Sequence, residues 1–132
     1  MNLTPIYSSQ LLCLAFLAIL FLQSGLDKVF NYKGNLDWLK EHFEKSPLQN
    51  LVSMMLPTIT LLELASGALC GLGIFFIIVD GTASVGLLGA QLAAVSIVAL
   101  FLGQRVAQDY EGAATLTTYF IISIMTIFLM GL

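Results

Sequence analysis

The chain has 132 residues, of which 58% are hydrophobic and 10% charged, with a formal net charge of −3. A soluble fold of this size cannot hide so much apolar surface, because small folds bury only part of what the unfolded chain exposes, and soluble domains carry roughly a quarter charged residues. The solvent implied by this composition is lipid, and the absence of a basic patch argues against a nucleic-acid partner, which leaves as partners the bilayer and other membrane proteins or a homo-oligomer.

A bilayer-spanning helix needs about 20 predominantly apolar residues, and helices are the sensible way to satisfy the backbone there. The first such segment runs over 5–30 and is free of charge until Asp27. No basic residue precedes its apolar run, so it reads as a retained helix, not a cleaved signal peptide. Leu36, Leu39 and Phe43 then recur at helical spacing, with Trp38 beside them and Asp37, Lys40, Glu41 and Glu44 opposite. That pattern predicts a short amphipathic helix over 35–45, N-capped by Asn35 and lying on the membrane surface, with Tyr32 and Trp38 in the headgroup zone. His42 reads as a surface residue of this helix.

The second span lies within 48–79, interrupted by Pro57 and Glu63. At 1.5 Å per residue this stretch covers about 48 Å, more than a bilayer core of about 30 Å. Two resolutions stay open. Pro57 stands in the first turn behind a surface lead-in from Leu48, or the whole stretch is one kinked and tilted helix. The third span covers 82–103 and the fourth 112–132, both without charge. The predicted architecture is therefore an all-α, four-span membrane bundle forming a single domain over 1–132, with the amphipathic helix between spans one and two.

Glu63 is the most informative position, because a carboxyl group within a membrane helix is expensive and faces the bundle interior as a rule. Ser66, Gly67, Cys70 and Gly71 follow on its helical face as a small, weakly polar stripe. Gly67 and Gly71 form a G-x-x-x-G pair suited to close helix approach. Glu63 is thus either structural, paired with a neighbour or neutralised by a proton, or a proton acceptor and anchor for a polar head. Depth places Gln23, Asp27, Lys28, Arg105 and Asp109 near the same membrane level, and the six residues are expected to form one polar cluster in which mutual pairing lowers the desolvation cost. For Lys28 and Arg105 the alternative is snorkelling at helix ends. Gln91, near the middle of span three, reads as helix–helix glue. Cys13 and Cys70 read as small buried hydrophobes, with a disulfide between them geometrically conceivable. No metal-ligand spacing, phosphate loop, nucleophile motif or haem-binding histidine pair is present, so no cofactor is expected.

All five Lys and Arg residues, Lys28, Lys33, Lys40, Lys45 and Arg105, fall on the side of the first and third connections. By the rule that basic loops stay inside, those connections face the cytoplasm and both termini face outward. A prokaryotic inner membrane is the expected location.

The run Ser24-Gly25-Leu26-Asp27-Lys28 resembles the G-x-x-K signature of the DoxX family. Leu56-Pro57, Leu61-Leu62-Glu63 and the glycines Gly67, Gly71 and Gly73 resemble that family's second helix, and the order of four helices with the longest loop after the first also matches. The resemblance implies a small membrane subunit associated with redox-linked or quinone-linked assemblies, and it points to Gly25, Lys28 and Glu63. It brings no haem, flavin or metal ligands. Many members carry basic termini, which implies termini inside, contrary to the charge distribution here.

The leading expectation is an accessory, non-catalytic subunit of a redox-linked membrane complex, or a binder of a lipid or quinone-like molecule near Glu63. One alternative is a quinone-linked oxidoreductase subunit in which Glu63 relays a proton and Lys28 or Arg105 polarises a carbonyl. A second is a small transporter, which with four helices per chain requires a homo-oligomer.

Overall fold

The computed structural model describes residues 4–132, and among them every regular element is helical. Helix α1 spans Pro5–Phe30, α2 Tyr32–His42, α3 Val52–Asp80, α4 Ser84–Val106 and α5 Tyr110–Met130, with a single 3-10 turn at Gln49–Leu51 leading into α3. Four of these, α1, α3, α4 and α5, are long and apolar enough to cross a membrane.

Local chemistry sets the helix ends. Thr4 caps α1 by accepting from the Tyr7 amide at 3.2 Å, and Pro5 occupies the first turn, where its missing N–H costs nothing. Asp109 caps α5 by accepting from the Gly112 amide at 2.9 Å. Helix α3 stops at Gly81, whose φ of 69° is the left-handed conformation that glycine reaches without a Cβ penalty. The amphipathic helix begins three residues earlier than its apolar pattern indicates. Asn31, not Asn35, stands at its N-terminus, and Asn35 lies inside the helix, its amide donating to the Asn31 carbonyl at 2.8 Å.

Pro57 is the sixth residue of α3, past the first turn, so the second span is one long helix with an internal proline. The surface lead-in shrinks to the 3-10 turn. At 29 residues α3 is about 43 Å long, and tilt accommodates the excess over the bilayer core.

In the bundle, α3 packs on α1 and α4, α5 packs on α4, and a shorter seam between α1 and α5 closes the ring. Leu14, Leu17, Phe21, Cys70, Ile77, Ala90, Ala93, Ile97 and Met130 form the core. Between lipid-solvated helices the hydrophobic effect supplies little, and close packing of small residues takes its place. Gly73 of α3 meets Gly86 of α4 so closely that a Cβ on Gly73 would lie 2.5 Å from the Gly86 Cα. Gly25 and Gly67 serve the α1–α3 seam, filled by Leu64 and Leu22 respectively. Gly71 does not serve it, since nothing lies within 4 Å of where its Cβ would stand. It is turned about 80° from Glu63 on the helix, at the margin of the buried stripe. Buried hydroxyls of Thr60, Ser66, Ser96, Ser123 and Thr126 each donate to the carbonyl four residues back. Ser66 and Ser96 also meet at 3.4 Å across α3 and α4.

The outer surface is apolar: Leu12, Ile19, Leu61, Phe128 and many other large side chains are exposed around all four long helices. Such continuous apolar surface belongs against acyl chains.

Candidate functional site

Glu63 faces inward, as its stripe indicates, and only 1% of the residue is exposed. Its neighbours on the buried side of α3 are Leu56, Thr60, Ser66, Gly67 and Cys70. Across the α1–α3 seam, Lys28 brings its Nζ to 3.0 Å from Glu63 Oε1. The same ammonium donates to Ser24 Oγ at 2.8 Å, one helical turn back. The contact with Oε1 is an ion pair without hydrogen-bond alignment, so this buried oxygen has a charge partner but no hydrogen bond among the described residues. The two unit charges cancel locally. With 18% of its side chain accessible, Lys28 is the member of the pair that reaches an open space.

That space is a groove of about 580 Å³ roofed by α2 and floored by α3 and α4. Trp38, Leu39 and Phe43 project from the roof, Met54, Met55, Ile59 and Leu62 from α3, and Ala99, Leu100 and Leu102 from α4. Lys28, Asn35, Thr58 and Gln104 are the polar groups on its wall. The Thr58 hydroxyl is already spent on the Met54 carbonyl at 2.9 Å. Volume and lining fall in the range of small-molecule sites, which are mostly apolar with a few fixed polar groups.

The roof is pinned at its far end. His42 Nε2 lies 3.0 Å from Gln104 Oε1 and 3.5 Å from Asp109 Oδ2, joining α2 to the last turn of α4 and to the α4–α5 connection. Its ring stacks on Trp38 with centroids 4.5 Å apart and meets Phe43 edge-on. Gly112 leaves room for this junction, since a Cβ there would lie 2.6 Å from Asp109 Oδ2 and 2.9 Å from Gln104 Nε2. Gln108 turns the connection with a φ of 62°.

The single polar cluster expected from depth is therefore two clusters with outliers. Lys28 and Glu63 meet, with Ser24 as a third member. Asp109 belongs with His42 and Gln104. Asp27, about 100° round the helix from Lys28, is exposed, and among the described residues its carboxylate meets Asn35, at 3.5 Å. Gln23 is exposed on α1, and Arg105 is exposed with its guanidinium 4.5 Å from the Tyr110 ring centroid. Equal depth did not bring these residues together because each projects from a different side of its helix. His42 is a part-buried bridging residue, not a free surface group. Gln91 is exposed on α4 and makes no hydrogen bond to another helix among the described residues. Cys70 is buried, Cys13 is part-buried, and both are free thiols. Among the described residues no group of three His, Cys, Asp or Glu side chains is arranged to hold a metal ion.

Ser24, His42 and Gln104 were missed from the sequence. Ser24 had a local signal, the spacing of four before Lys28. The meeting of His42 with Gln104 spans 62 residues and had none. Comparison with protein-family models, with curated proteins and with solved structures finds no match to this chain.

Proposed function

We propose that this is a membrane-embedded binder of a quinone-like or lipid-like amphiphile, acting as an accessory subunit beside a larger redox-linked membrane complex. One observation carries the binding reading: an ammonium group, neutralised by a buried carboxylate, on the wall of an otherwise apolar groove of about 580 Å³. An ammonium has three N–H groups; one donates to Ser24, Glu63 Oε1 stands beside it as the charge partner, and the groove side is left for a further acceptor. An N–H on that side suits a neutral acceptor such as a quinone or ester carbonyl. An anionic head fits less well, because the Glu63 charge already satisfies Lys28. The apolar walls from α3 and α4 suit an isoprenoid or acyl tail. The redox link and a place in the DoxX family rest on sequence resemblance alone.

The proton-relay alternative draws less support, since Lys28 lines the groove and Glu63 lies behind it. The charge distribution further supports connections one and three on the cytoplasmic side, with both termini outside.

Trp38 is the chain's single tryptophan and lines the groove, so quenching of its fluorescence reports occupancy. Titration of the protein in micelles with a short-tailed benzoquinone should quench it saturably at one equivalent, and a brominated phospholipid tests the lipid alternative. Ala99→Phe, which fills the groove, should weaken the saturable component about tenfold or more. Quenching that rises linearly with either probe, and equally in Ala99→Phe, would overturn the binding reading.

A further inference from the structure

On the outward side of α4, Leu88, Gln91, Val95 and Val98 form one exposed ridge. Gln91 stands seven residues past Ser84, about 10 Å along the axis. An amide side chain does not span that distance to the headgroups. Gln91 makes no hydrogen bond to any described residue, so a primary amide is presented to hydrocarbon at a depth where no water replaces the missing partner. Gln10 and Gln23 differ in this respect. Gln10 donates to the Leu129 carbonyl at 2.7 Å, and Gln23 lies one turn from the charged end of α1.

We propose that Gln91 marks a homodimer interface in which α4 packs against α4 of a second copy. An amide carries both an acceptor and a two-proton donor. Two copies related by a two-fold axis along the membrane normal keep the same orientation, so each residue near the axis meets its own counterpart at the same depth. The two Gln91 side chains then satisfy each other with a reciprocal pair of hydrogen bonds. Another partner would need a hydrogen-bonding side chain placed at this same level, whereas a second copy brings one by symmetry. The flanks of the ridge suit this contact. Val95 and Val98 are shorter than Leu88, which lets a facing helix approach this part of the ridge. Beside Val98, a cleft of about 310 Å³ between α4 and α5, lined by Ile97, Phe101, Leu116 and Phe120, is open to receive side chains of the facing helix.

Single cysteines at Gln91 and Val95, in a Cys13→Ser, Cys70→Ser background, test the contact in native membranes under mild oxidation. Both should give disulfide-linked dimers, while Ile19→Cys on the outward face of α1 should not. In vesicles, resonance energy transfer between labelled copies at rising lipid dilution should show Gln91→Leu weakening association by about three- to tenfold, the range of interhelical polar contacts, with Gln91→Asn retaining most of it. Monomers at every dilution, linkage at Ile19→Cys as strong as at Gln91→Cys, or linkage of Gln91→Cys to a different protein would each overturn the homodimer. Gln91→Leu replaces an outward amide with an apolar side chain, so a lost signal reports association and not folding.

Discussion

At the scale of single residues, the Lys28–Glu63 pair decides most. Taking two charges out of water is costly, and their attraction in a low-dielectric interior offsets that cost only when both are present. Truncating one partner therefore leaves the other uncompensated. Lys28→Met should lower stability in micelles by about 3 kcal/mol, measured by denaturant titration followed through Trp38. The double variant Lys28→Met, Glu63→Leu should recover most of that loss, because two well-packed apolar residues replace the pair. If the single variant costs no more than the double, the pair is not the stabilising unit its burial indicates. The inward turn of Glu63 was readable from one strand of sequence, since Ser66, Gly67 and Cys70 mark its face. Its partner was narrowed to a handful of groups at one depth, and no further. Depth is a one-dimensional coordinate that hydropathy encodes well. The angle at which Lys28, Asp27 or Gln23 leaves its helix decides which of them meets Glu63, and an apolar helix in lipid has almost no amphipathic signal to reveal that angle.

At the scale of elements, the same contrast separates what was legible from what was not. The first helix matches its sequence bounds, because Thr4-Pro5 and the first charges at Asp27 and Lys28 punctuate both ends. Helix α2 was displaced because its apolar pattern starts after its backbone does: Tyr32 and Lys33 continue almost directly from α1, and Asn35 looks like a cap in sequence while lying within the helix. The G-x-x-x-G pair in α3 was half right. Both glycines fit the motif, yet only Gly67 faces α1, at a point where Leu22 fills the space a side chain would need. Gly67→Leu should therefore force α1 and α3 apart and cost about 1–3 kcal/mol as overpacking. Gly71→Leu, entering open space, should change stability by less than about 0.5 kcal/mol. Thermal unfolding of the two variants in one detergent checks the difference, and equal losses would contradict the assigned helix rotation.

At the scale of the whole molecule, four crossings require the first and third connections to share a side, and the contacts of His42 with Gln104 and Asp109 join those connections directly. Lys28, Lys33, Lys40, Lys45 and Arg105 all lie toward that end, whereas the opposite connection offers only Asp80. Basic residues in short loops are retained on the cytoplasmic side and acidic ones weigh little, so this end, with the groove and its amphipathic roof, should open toward the cytoplasmic leaflet. Single cysteines at the exposed positions Glu44, Thr82 and Glu111, in the cysteine-free background, leave the count of basic residues untouched. A membrane-impermeant maleimide applied to intact cells should label Thr82→Cys and spare Glu44→Cys and Glu111→Cys until the membrane is opened. The reverse pattern would invert the orientation while preserving the fold, since the two connections would still respond together. A split, with Glu44→Cys and Glu111→Cys labelled from opposite sides, would contradict the four-span bundle itself and separate His42 from the residues that hold the roof in place.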